Sequence, residues 1–123
     1  MLYIYNNTLR VFTAAEQTGI YTITPSSFPS SILAPAYPQS SATLTKNSPV
    51  EIVAVVWGEM QITAASVFDL LYNQANKDWG FQVNTDVFGV DGFWGHEKVG
   101  VIWYKQADVF KALVAREGDW VKF

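Results

Sequence analysis

Val50-Glu51-Ile52-Val53-Ala54-Val55-Val56-Trp57-Gly58 decides how the chain is read. Seven of the eight residues from Val50 to Trp57 are apolar, and most of those are valine or isoleucine. β-Branched side chains are stiff at χ1 and pack well on a pleated surface, so the stretch reads as a strand. Strict alternation puts Val50, Ile52, Ala54 and Val56 on one face and Val53, Val55 and Trp57 on the other. A strand apolar on both faces is central in its layer and covered twice. Gly58 ends it.

Downstream, Thr63 is the expected N-cap of a helix, its hydroxyl accepting from the first free amides. Ala64, Val67, Phe68, Leu71 and Ala75 then form one stripe on a 3.6-residue period, with Ser66, Asp69, Asn73 and Gln74 opposite. Asn76-Lys77-Asp78 closes the helix, and Phe81-Gln82-Val83-Asn84 reads as a short alternating strand. Val99-Gly100-Val101-Ile102-Trp103-Tyr104 is a second strand apolar on both faces. The tail, Val109 to Ala115 and Asp119 to Phe123, reads as a hairpin around Arg116-Glu117-Gly118.

Upstream, the first 24 residues read as a strand pair: Leu2 and Ile4 open it, Asn6-Asn7 can bend the chain, Leu9 to Ala14 continues as strand, and Ile20 to Thr24 alternates with β-prone residues. All five prolines fall between Pro25 and Pro49, among many serines. Proline lacks the amide a ladder needs, so residues 25–49 read as a long ordered loop with one short strand near Ala42–Thr45. Seven to nine strands and one short α-helix imply a β-rich chain, an antiparallel β-sandwich. A parallel α/β fold needs several crossover helices.

The 123 residues suit one domain spanning 1–123, long enough to bury a core without staples. Only 15% are charged and 15% are aromatic, which favours a ring-filled core and surface buried in a homo-oligomer. A formal charge of −3 with no basic cluster argues against nucleic acid as a partner. The absence of cysteine excludes disulfides, thiol catalysis and thiolate metal sites. No stretch approaches the roughly eighteen apolar residues of a membrane span, and Met1 to Thr8 lacks a basic leader, so the expected location is cytoplasmic.

Asp86-Val87-Phe88-Gly89-Val90-Asp91-Gly92-Phe93-Trp94-Gly95-His96 is the most unusual loop, interleaving three glycines, three aromatics and two aspartates. His96 is the chain's one histidine, so any histidine acid or base must be this residue. No nucleophile-elbow pattern surrounds a serine. One histidine and no cysteine argue against a transition metal, the spacing of Asp86 and Asp91 matches no EF-hand loop, and Asp in a glycine-rich loop more often forms Asx turns. The glycines precede a strand rather than a helix, which argues against a phosphate cradle. What remains is recognition. Rings stack on sugars and small ligands while carboxylates bind hydroxyls, so Asp86, Phe88, Asp91, Phe93, Trp94 and His96 are the candidate ligand-binding residues. Phe88 and Trp94 also have an alternative role, as plugs closing the end of the fold.

Several of these motifs occur together in a known family. The run Glu51 to Gly58, Ile62-Thr63 ahead of a helix, Val87-Phe88-Gly89-Val90-Asp91, Gly95 and Lys98 before a Val-x-Val strand, and Ala115-Arg116-Glu117-Gly118-Asp119 carry the likeness. They resemble a domain of unknown function found at the C-terminus of DnaJ-like proteins and in small standalone fungal and bacterial proteins. The resemblance covers the chain from Pro49 onward and implies a fold but no assigned activity. Asp91-Gly92-Phe93-Trp94-Gly95 departs from the family's proline-containing loop in being richer in aromatics.

The sequence therefore implies a non-catalytic binding or interaction module, without cofactor or metal, recognising a small molecule, glycan or protein partner. Two alternatives stand beside it. One is a small enzyme acting on an apolar substrate inside the sandwich, with His96 as acid or base; the other is a self-assembling structural protein.

Overall fold

A computed structural model describes residues 2–5, 8–11 and 42–123. The expected strand at Ile20 to Thr24 and most of the proline-rich loop lie outside the described residues. Strands β1 (Leu2–Tyr5) and β2 (Thr8–Val11) pair antiparallel, with Leu2 opposite Val11 and Tyr5 opposite Thr8. Ala42–Thr45, expected as a strand, forms the one-turn helix α1. A strand there would need a ladder partner. The helical turn instead leaves the Leu44 carbonyl to accept from Asn76 Nδ2 at 2.9 Å, while the Leu44 side chain packs on the core edge.

The body follows. Strand β3 (Glu51–Trp57) turns at Gly58 into β4 (Met60–Ile62), and helix α2 (Ala65–Asn76) comes next. Short β5 (Phe81–Gln82) and one-turn α3 (Thr85–Phe88) lead through the candidate loop into β6 (Val99–Gln106). Strands β7 (Val109–Arg116) and β8 (Trp120–Val121) finish the chain. The main sheet is antiparallel in the order β4-β3-β6-β7, so β3 and β6 are central as their two-faced apolar sequences require. The fold is β-rich and antiparallel. Its buried face is covered by α2 and the short β5–β8 pair, and a full second sheet is not among the described residues.

Two-residue alternation fails inside β3. Ile52 lies opposite Tyr104 but Ala54 lies opposite Trp103, so Val53 is the extra residue of a β-bulge. The bulge moves every later side chain to the other face. Val50, Ile52, Val55 and Trp57 join the core against α2, whereas Val53, Ala54 and Val56 pack with Val101 and Trp103 on the far face. This corrects the expected grouping, because a bulge swaps faces without leaving a mark in composition. The Ile52 amide, beyond the reach of β4, donates to the buried Tyr72 hydroxyl at 3.0 Å.

Helix α2 buries Val67, Phe68, Leu71 and Ala75 as its spacing implied, and Tyr72 besides, whereas Ala64, first in the expected stripe, precedes the helix and is exposed. Its N-cap is Ala64, without a side-chain cap bond, one residue after the expected Thr63. Asp78 ends it in left-handed geometry (φ 56°), with the Trp79 amide donating to the Gln74 carbonyl at 2.9 Å.

The expected C-terminal hairpin does not form. Asp119 Oδ2 accepts from the Arg116 amide at 2.9 Å, and the turn sends the chain out of the main sheet. β8 then pairs with β5, Phe81 opposite Val121, while the Gly118 amide donates to the Val83 carbonyl at 2.7 Å. In this part of the chain the hairpin is instead between β6 and β7, joined through Ala107 and Asp108.

Candidate functional site

The loop from Asp86 to His96 is built in two halves. In the first, Asn84 caps α3, its Oδ1 accepting from the Val87 amide at 2.9 Å, and Gly89 closes the turn at φ 71°. This single turn drives Phe88 inward, where it is 2% exposed and stacks on Trp57 with ring centroids 4.8 Å apart. Phe88 is therefore a core plug. Asp86, in the same turn, is exposed.

The second half is bolted to the sheet. Gly92 is buried against the end of β3, and its carbonyl accepts from the Glu59 amide at 3.3 Å. Asp91 Oδ1 accepts from the Phe93 amide at 3.2 Å, an Asx turn. Phe93, half-buried, stacks on the exposed His96 ring at 4.2 Å and 16°. Trp94 points the other way. It is 85% exposed, and a Cβ placed on neighbouring Gly95 would meet nothing within 4 Å, so this end of the loop protrudes.

Lys98 holds the half together, a role that the candidate residues did not include. It is only 5% exposed, and its ammonium lies 3.1 Å from Asp91 Oδ1, 3.4 Å from Glu117 Oε2 and 3.0 Å from the His96 carbonyl. Burial pulls the Lys98 pKa down, but hydrogen bonds and charge attraction from Asp91 and Glu117 outweigh it and hold the pKa above 10.5. The lysine therefore stays charged and ties the loop, β6 and the turn after β7 together. Strand parity carried the signal: Lys98 has the same parity as Gly100, Ile102 and Tyr104, all on the buried face of β6.

The structure thus brings Asp91, Phe93, Trp94 and His96 into one loop tip, with Asp91 engaged from below and Trp94 free above. His96 meets a ring rather than a carboxylate, and no group of three or more metal-ligand side chains occurs among the described residues. Among the described residues, hollows also lie away from this tip. One of about 270 Å³ runs past Gln74, Trp79, Lys122 and Phe123, and one of about 250 Å³ lies between Met60–Val67 and Phe88–Val90. Among the described residues, no helix is long and apolar enough to cross a membrane.

Comparison with family models, with curated proteins and with solved structures found no match to this chain.

Proposed function

We propose that the protein is a non-catalytic recognition module that presents Trp94 to a protein partner. One observation carries this reading: an indole 85% exposed on a loop tip held by the Gly92 contact with Trp57, the Lys98–Asp91 ion pair and the Phe93–His96 stack. A large apolar ring in water is unfavourable unless something covers it, and tryptophan is enriched among the anchors of protein interfaces. Small ligands take concave sites that bury most of their surface, and a protruding tip does not supply one. Rigidity adds to affinity, because a loop already held loses little entropy on binding.

A glycan is the second reading, favoured by the flat exposed indole, on which a sugar ring can stack. The test is a pair of matched baits. Wild type should enrich a partner that Trp94→Ala loses at least roughly tenfold, the loss expected of an interface anchor, with thermal melting unchanged. A Trp94-dependent signal on a glycan array instead would move the reading to a lectin. If both baits retain the same proteins and neither binds a glycan, the reading fails.

A further inference from the structure

The two edges of the main sheet differ. β4, at one edge, is three residues long; β7, at the other, is eight residues long and free of proline, glycine and register breaks. Short strands, prolines, charges and bulges keep a sheet edge from pairing with another chain. From Val109 to Ala115, β7 has only Lys111.

The turn before β7 fixes which of its backbone groups face outward. Ala107 and Asp108 both have positive φ, 50° and 62°, the geometry of a two-residue hairpin turn closed by a doubly hydrogen-bonded pair. That pair is Gln106 and Val109. Alternation then aims the amides and carbonyls of Val109, Lys111, Leu113 and Ala115 at β6, and those of Phe110, Ala112, Val114 and Arg116 away from it. The Arg116 amide, which donates to Asp119 rather than to β6, has this parity. Among the described residues, no strand pairs with the outward groups of Phe110, Ala112 and Val114. Their side chains share the far sheet face, with Phe110 54% and Val114 63% exposed.

We propose that a second copy of this chain docks on this edge, β7 against β7, antiparallel about a twofold axis at Ala112. Outward groups must face outward groups, so a regular ladder allows only registers stepped by two. With Ala112 opposite itself, Phe110 lies opposite Val114 of the second copy, and the turn carrying Asp108 comes level with its Arg116. The apolar pair and the opposite charges each occur twice, once on either side of the axis. Centring on Lys111 would set two ammonium groups against each other, which is unfavourable. The Ala112 register also joins the far faces of both sheets, with Val101 and Trp103, into one surface.

The chain has no cysteine, so a single introduced one reports the register directly. Opposed Cα atoms of a hydrogen-bonded pair lie about 5.5 Å apart, within disulfide reach. Ala112→Cys should crosslink to itself under mild oxidation, and Lys111→Cys should not. In parallel, the wild-type mass by sedimentation should rise from 13.7 kDa towards twice that value across the micromolar range. Ala112→Pro should stay monomeric with a native-like melt, since an outward amide on an edge strand is where proline is tolerated. Val114→Lys, which leaves the backbone unaltered, should also stay monomeric. A wild-type chain monomeric throughout that range overturns the proposal. So does a dimer that withstands Val114→Lys, or one that crosslinks through Lys111→Cys and not Ala112→Cys.

Discussion

Gly92 packs its bare Cα against the backbone of Trp57, so closely that a Cβ there would overlap the Trp57 carbonyl oxygen. This contact fixes the loop tip to the end of the central strand. Gly92→Ala must push the two apart and should lower stability by about 2 kcal/mol, the usual scale of overpacking. Gly95→Ala is the control: its Cβ meets open space, so only the left-handed backbone (φ 77°) opposes it, at about 1 kcal/mol. Thermal melting of both variants checks the order, and equal losses would mean that the close approach at Gly92 carries no energy.

Phe88 and Trp94 stand six positions apart in one loop and should behave oppositely. Phe88→Ala empties a space against Trp57 and should cost roughly 3–5 kcal/mol. Trp94→Ala removes a ring with little to pack on and should stay within about 0.5 kcal/mol of wild type. Chemical denaturation curves separate the two.

The same contrast applies within β6. Ile102 is fully buried against α2, so Ile102→Asp strands a charge in the core and should prevent folding or cost several kcal/mol. Val101, on the other apolar face of the same strand, is only half-buried. Val101→Asp should therefore melt well above Ile102→Asp, and the reverse order would show that the faces are misassigned.

Lys98 predicts an alkaline response. Its pKa in the folded chain lies above 10.5, so folding favours the charged form. That stabilisation is complete below 10.5 and is lost as pH rises through the higher folded value. Melting followed against pH should show wild type losing stability above 10.5, while Lys98→Arg, which keeps its charge there, holds its own level. Parallel curves for the two would exclude lysine titration as the cause.

Much of this fold is visible in local chemistry. β-Branched density marks β3 and β6, and a 3.6-residue stripe marks α2, because each pattern is set by neighbours in sequence. The density of glycine and aromatics from Asp86 to His96 likewise singles out the loop. The division of labour inside it is not visible. Phe88 and Trp94 are both aromatic residues near a glycine, and only the one-turn helix α3 sends the first inward.

The sequence by itself determined that strands dominate, that β3 and β6 are central, and that no thiol chemistry exists. Tertiary structure alone decided three things. It placed the bulge at Val53, which inverts the faces of β3 because the side-chain period is two and one extra residue shifts it by half a cycle. It sent β8 to β5, since pairing depends on which edge is within reach and not on strand propensity. It buried Lys98, because a charge enters a core only where its partners converge, and Asp91 and Glu117 are neighbours only in space.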